Sequence, residues 1–191
     1  MKRVVHLFAA LIVGIAGVAG VASAADLSRA VTLVATDDLD GSPFEQTVII
    51  AAPLPDGSHV GFIVNRPTDV TLATLFPDDD GSRKHDSPVS YGGPMLPRAV
   101  FALTSRAPDG AKSVIALMPG LVVVLDEAGV DRVIETTPND ARYFVGLIVW
   151  GPDELDQQVT AGVWDIKPAD PQIVVRGKSP GLWRELRGAE R

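Results

Sequence analysis

Gly61-Phe62-Ile63-Val64-Asn65-Arg66-Pro67 passes abruptly from an apolar run to an amide, a guanidinium and a proline. Val60 to Val64 has the β-branched and aromatic content of a buried strand. Pro67 stops it and holds Arg66 extended. Two further stretches repeat the pattern, Tyr91-Gly92-Gly93-Pro94 and Trp150-Gly151-Pro152-Asp153-Glu154-Leu155, the latter leading on to Gly162-Val163-Trp164. Each places polar or glycine-rich residues straight after an apolar run, where a strand ends and exposes backbone.

Around these islands, apolar runs of strand length alternate with turn signals. Val31–Ala35, Thr47–Ala52, Val60–Val64, Ala99–Leu103, Val114–Met118, Leu121–Leu125, Tyr143–Trp150 and Ile173–Val175 are all predicted strands. Asp-Gly recurs at Asp40-Gly41, Asp56-Gly57, Asp80-Gly81 and Asp109-Gly110. Both residue types accept the positive φ of tight turns, so most of these pairs are expected to connect strand to strand. Helices are fewer: Thr71–Phe76 with Thr71 as N-cap, Glu127–Glu135, Pro152–Ala161 with Gly162 as its stop, and Leu182–Leu186. Asp78 to Pro88 reads as an exposed, mobile polar loop.

The first residues read as an export signal. Lys2 and Arg3 precede the uncharged apolar stretch Leu7–Val21, and Ala22-Ser23-Ala24 is a small-residue cleavage site. Cutting after Ala24 leaves one domain, residues 25–191, in the periplasm with no stable membrane insertion. An uncleaved anchor and a misplaced start codon are the alternatives. Lys2 and Arg3 leave with the leader and no acid does, so the formal charge of −7 deepens by two. Such a surface repels phosphate backbones and argues against nucleic acid as a partner. The chain has no cysteine, so it stands on its hydrophobic core and has no thiol nucleophile or thiolate metal site.

Catalytic patterns fit poorly. Gly177-Lys178-Ser179-Pro180-Gly181 matches the nucleophile elbow G-x-S-x-G, but the last histidine is His85, far upstream. Thr36, Asp38 and Asp40 imitate a calcium loop without its first carboxylate, and Thr47 stands where a bidentate Glu belongs; Asp78-Asp79-Asp80-Gly81 has the same fault. No metal or cofactor is expected. His85, beside Arg83 and Lys84, reads as exposed, and His59 either sits in a turn or faces the end of the sheet that carries Asn65.

The islands therefore supply the site residues. Arg66 offers a rigid fork for a carboxylate, and Asn65 brings a donor and an acceptor to the same strand end. Gly92 and Gly93 allow close approach of a ligand or another chain segment, and Pro94 stiffens the exit. Trp150 and Trp164 flank the helix that carries Glu154 and Asp156. The candidate groove is Asn65, Arg66, Pro67, Gly92, Gly93, Pro94, Trp150, Glu154 and Trp164. In the purely structural alternative, Arg66 pairs with Glu154 or Asp156 and the glycines merely turn the chain.

From Leu33 to Val175 the ordered set of motifs resembles the AlgH/YqgE family. It comprises Leu33-Val34-Ala35, Phe44-Glu45-Gln46-Thr47-Val48-Ile49, Gly61 to Pro67, Gly92-Gly93-Pro94 with Arg98 and Phe101, and Gly151-Pro152 with Glu154-Leu155, Gly162 and Trp164. The resemblance implies an α/β domain of the α+β type. Its bent, mostly antiparallel sheet would form a partial barrel with a few packed helices. The resemblance carries no catalytic residues. This chain departs from the family in its leader and in Phe144-Val145-Gly146-Leu147-Ile148-Val149-Trp150, a greasier stretch than the usual one. The function expected is a non-enzymatic periplasmic module that binds a small anionic ligand or a peptide. An envelope hydrolase using carboxylates such as Glu154 and Asp156, or a cytoplasmic regulator if the leader is a misread start, are the alternatives.

Overall fold

The computed structural model describes residues 26–85, 88–176 and 181–188. The leader and most of the Gly177–Gly181 elbow lie outside the described residues. In chain order the elements are β1 (Val31–Ala35), β2 (Val48–Pro53), β3 (His59–Ile63), β4 (Pro67–Thr71), α1 (Leu72–Leu75), β5 (Pro88–Tyr91), β6 (Met95–Thr104), β7 (Val114–Met118) and β8 (Leu121–Val124). There follow α2 (Glu127–Thr136), β9 (Ala141–Trp150), α3 (Glu154–Thr160), β10 (Trp164–Pro168), α4 (Pro171–Arg176) and α5 (Leu182–Gly188). The strands form one sheet in the order β10-β1-β2-β3-β9-β6-β8-β7, with β4 and β5 off this path. Neighbours pair antiparallel except β5 on β9. The sheet curls until β7 approaches β2, making a half-barrel.

Inside the curl, Val48, Ile50, Phe62, Phe101, Val123 and Phe144 pack with Ile173, Val174 and Leu182 of the last two helices. Phe62 meets Phe101 and Phe144 edge-on at 6.0 and 5.6 Å, the geometry aromatic quadrupoles favour. The outer surface carries two separate clusters. One lies under α3 and includes Ile49, Ile148, Trp150, Leu155 and Trp164; the other lies under α1 and α2 and includes Leu72, Val130, Ile134 and Tyr143. Trp183 Nε1 donates to the Ala35 carbonyl at 2.8 Å, and Arg187 pairs with Asp165 and with Asp37, so α5 is tied to the β1–β10 edge. Among the described residues no helix is long and apolar enough to cross a membrane.

Local chemistry explains most boundaries. Thr71 caps α1 by accepting from Thr74 N. Asp126 caps α2 through Gly129 N at 3.0 Å and also accepts from Lys112 N and Ser113 N; the Ser113 bond foremost holds its carboxyl below the usual range. Asp56-Gly57 closes the β2–β3 hairpin with Gly57 at φ +83°. Asp80-Gly81 behaves differently: Gly81 has αR backbone, and its lack of a side chain is required by the Ile134 carbonyl, 2.1 Å from where a Cβ would stand.

Ile173–Val175, predicted as strand, is helical within α4. Asp170 accepts from Gln172 N at 2.8 Å and Pro171 opens the first turn, a start signal that outweighs the strand preference of three residues. The strands β4, β5 and β10 had no clear sequence signal. They are short and peripheral and contain Pro67, Asp69, Asp165 and Lys167. His85, expected at the surface, is buried edge-on to Tyr143 with ring centroids 5.0 Å apart. Ser82, in the loop expected to be mobile, is fully buried on the Phe76 and Asp79 carbonyls.

The decisive joint is in β9. β3 and β5 lie along one of its edges, and β6 along the other. To pass from β5 to β6 the chain must cross β9, and it does so at Gly146. Gly92 N donates to Val145 O at 2.8 Å and Gly92 O accepts from Ile63 N at 2.9 Å. A Cβ on Gly146 would stand 2.1 Å from Gly93 O and 2.9 Å from Met95 O. Gly146 also breaks the alternation. Phe144 and Leu147, three residues apart, both face the inner core, while Val145 and Ile148 face outward, as a bulge requires. Gly146→Ala should therefore cost about 3 kcal/mol or more in urea unfolding. Gly41→Ala, at φ +73° against +72° for Gly146 but with nothing within 4 Å of its would-be Cβ, should cost only about 1 kcal/mol.

Candidate functional site

The nine predicted site residues do not converge on one open groove; the structure distributes them over three joints. At the end of β3, Asn65 Oδ1 accepts from Val48 N at 2.8 Å and Asn65 Nδ2 donates to Gln46 O at 2.9 Å. Arg66 donates from Nη1 to Pro43 O and from Nη2 to Glu45 O at 2.9 Å. Neither Glu154 nor Asp156 is its partner. The two side chains instead grip the loop before β2, where Gln46 is held at φ +55°. Pro67 opens β4, and Arg66 O accepts from Tyr91 N, so the joint continues into β5.

The second joint is the crossing. Gly92 and Gly93 are buried against Gly146 O and Leu147 O, each within 2.4 Å of a would-be Cβ, so the space they leave is filled by this chain's own backbone. Pro94 is exposed.

The third joint lies under α3. Trp150 and Trp164 are buried, and both indole N–H groups donate to Gln158 Oε1, at 3.0 and 2.9 Å. Gly61 leaves room for the Trp150 ring, whose Cζ3 would lie 2.7 Å from an added Cβ. Phe44 stands edge-on to Trp164 at 6.1 Å, which joins this cluster to the loop that Arg66 grips. Glu154 Oε2 accepts from Gly151 N at 2.9 Å and so fastens the start of its own helix. Asp153, just before α3, sits at φ +63° and makes no side-chain cap.

Three polar groups have unusual surroundings: Arg142 and Tyr143, which the sequence did not single out, and His59, which it left between a turn and the sheet end. Arg142 is a largely buried cation on β9, its guanidinium pushed down to about 10 by burial. Tyr143 OH is buried without a hydrogen-bond partner, and burial raises its pKa. His59, buried on β3, bonds through Nε2 to Leu27 O at 3.0 Å while Nδ1 has no partner. Nothing in the local sequence marks these environments, because each is made by distant segments.

An acidic cleft of about 650 Å³ lies between the Asp78–Asp80 loop and α2, with Phe76, Lys84, Asp131 and Glu135 in its walls. Burial, then the charges of Glu127, Asp79 and Glu135, raises the Asp131 pKa. Asp79 turns its carboxylate into its own loop, accepting from Gly81 N and Ser82 N. Among the described residues no group of three or more His, Asp or Glu is placed to hold a metal ion.

The surface has one conspicuous ridge. Met95 and Leu96 are 43% and 58% exposed, between Pro94 and Pro97, and Leu96 is held at φ +52°. A branched side chain in that region costs about 1–2 kcal/mol. Val149, 40% exposed, follows two residues after Leu147, the partner of Met95 on β9.

A family model described as AlgH-like matches residues 32–189. Among curated relatives, a UPF0301 protein of Chlorobium phaeobacteroides is 28% identical over 162 residues, 82% of this chain and 83% of that protein. A UPF0301 protein of Myxococcus xanthus is 28% identical over 165 residues, 82% and 87% of the two chains. The solution structure of the AlgH protein from Pseudomonas aeruginosa superposes with a TM-score of 0.70 at 21% identity, covering 89% of this chain and 91% of that one. A Corynebacterium diphtheriae protein, DIP2367, gives 0.65 at 20% identity, covering 86% and 87%. At these identities the structural likeness concerns the fold.

The Arg66 contacts yield a direct test. Arg66→Ala should lower stability by about 1.5–3 kcal/mol, since two charge-assisted bonds to carbonyls are lost. Arg66→Lys should recover little, because an ammonium cannot fork two carbonyls. Unchanged unfolding of Arg66→Ala would mean that the clamp is idle and the guanidinium is available to a ligand.

Proposed function

This chain belongs to the AlgH-like family, and within that fold we propose that it works as a non-enzymatic periplasmic interaction module. The observation that carries this reading is the ridge from Pro94 to Arg98. A soluble domain gains nothing in stability from an exposed leucine in left-handed backbone, and strain kept at an apolar surface point is a mark of function. The ridge also differs in charge from the rest of the molecule. Residues 88–108 contain Arg98 and Arg106 and no acid, in a chain of formal charge −7. Both arginines are exposed, with no ion-pair or hydrogen-bond partner among the described residues. The complementary partner is a polypeptide segment that offers apolar side chains to Met95 and Leu96 and carboxylates to Arg98 and Arg106.

The periplasmic part of the reading rests on the sequence pattern at the N-terminus: Lys2 and Arg3, the apolar stretch to Val21 and the Ala22-Ser23-Ala24 triplet are the parts of an export leader. The hydrolase alternative would draw on Glu154, whose carboxylate already holds Gly151 N.

Peptides selected from a display library against the protein should be rich in apolar and acidic residues. Leu96→Asp and Arg98→Glu should each weaken them at least about tenfold. Leu96→Gly should lose the same binding while unfolding at or above the wild-type midpoint, since glycine relieves the backbone strain. Selected peptides indifferent to all three changes would refute the ridge.

Intact mass of the native protein from fractionated cells tests the location. The expected species begins at Ala25 in the periplasmic fraction; a cytoplasmic species without the leader would restore the regulatory reading.

A further inference from the structure

Arg142 is largely but not fully buried on β9, with only neutral partners. Its Nη1 donates to Val64 O at 3.3 Å and to Val174 O, and Nη2 donates to Ser90 Oγ at 2.7 Å. The guanidinium carbon stands 5.1 Å from the centre of the Phe144 ring. No carboxylate among the described residues lies within ion-pair distance. These contacts position the cation from the residue after β3, from β5 and from α4, without neutralising it. A guanidinium carries five N–H donors, and three are used. Nε–H has no protein partner among the described residues, and Nε is not one of the buried polar atoms left without one; it therefore reaches solvent. The largely buried charge thus keeps an outlet at Nε–H, and Nη2 adjoins Nε on the same edge of the guanidinium plane.

That edge holds two parallel N–H groups at the spacing of the two oxygens of a carboxylate. We propose that Arg142 anchors a binding site for a carboxylate group. A monoanion fits better than a phosphate dianion, because one guanidinium supplies one positive charge and the acidic chain opposes a second negative one. Burial strengthens the pairing, since an unbalanced cation in low dielectric is costly and a carboxylate restores neutrality. Ser90, fully buried, fixes Nη2 and thereby the plane of the fork. The carboxylate belongs to a small organic acid or to the C-terminus of a peptide. The site is independent of the Leu96 ridge, and neither proposal needs the other.

Arginine Nε–H resonances of the isotopically labelled protein read the site directly. The Arg142 signal is identified by its loss in Arg142→Lys, or by through-bond assignment should that variant not fold. Acetate titrated against chloride at constant ionic strength should move the Arg142 Nε–H signal saturably and leave that of Arg66 in place. Phosphate should move it less. A short peptide with a free C-terminus that binds several-fold tighter than acetate, and loses binding when amidated, would identify a peptide carboxylate; equal binding of acetate and peptide would identify a small acid. Ser90→Ala keeps the charge and loosens the fork, and should weaken acetate several-fold. An Arg142 signal that responds no more to acetate than to chloride overturns the proposal, as does acetate binding unchanged in Ser90→Ala and Arg142→Lys alike.

Discussion

The crossing of the chain over β9 at Gly146 is the constraint on which the rest of the half-barrel depends. A sheet in which β3 and β5 share one edge of a strand while β6 takes the other needs its connection to traverse that strand. Backbone can approach backbone so closely only where side chains are missing, and Gly92, Gly93 and Gly146 supply that gap together. The bulge at Gly146 then reverses which residues of β9 face inward. Phe144 and Leu147 can both fill the inner core, and Ile148 and Trp150 are delivered to the cluster under α3. One local irregularity thus serves the inner layer and divides the outer one.

The other joints brace the two ends of this arrangement. Arg66 and Asn65 seize the carbonyls and N–H groups of residues 43–48, and Phe44 from the same loop meets Trp164. Trp164 and Trp150 are in turn fixed by a single acceptor, Gln158, with Gly61 making room for the larger part of the Trp150 ring. The end of β3, the loop before β2 and helix α3 are therefore one connected unit. Tryptophan N–H groups need acceptors when buried, and a glutamine that serves two indoles satisfies both within one helical turn.

Much of this was legible in the sequence. The eight predicted strands include seven that form. The polar and glycine islands mark real discontinuities, because a residue that must bond backbone or vanish at a crossing is conspicuous after an apolar run. Their meaning was harder to read. Arg66 beside Pro67 looks the same whether its fork meets a ligand or the carbonyls of Pro43 and Glu45, and only tertiary packing separates the two. Gly92-Gly93 equally announces close approach without naming what approaches. Arg142 was invisible for a different reason: the predicted strand began at Tyr143, and the groups that enclose Arg142 come from Val64, Ser90 and Val174, all distant along the chain. His85 misled because its charged neighbours in sequence are not its neighbours in space.

The placement of charge gives these joints a shared consequence. Several cations of this acidic chain are turned onto its own backbone or acids: Arg66 onto carbonyls, Arg83 onto Pro77 O and Asp80, Arg187 onto Asp165 and Asp37. Many carboxylates stay outside, and on α2 burial, then the charges of Glu127, Asp79 and Glu135, raises the pKa of Asp131. The net charge of −7 sets an outward field that repels anions at long range. An anionic group could be held only where a cation is both exposed and unspent, or buried with one open edge. Arg98 beside Leu96, and Arg106 beyond the far end of β6, meet the first condition, and Arg142 meets the second. The first suits an extended acidic partner whose apolar contacts supply the affinity; the second suits a single carboxylate, selected because the site can neutralise one charge and no more.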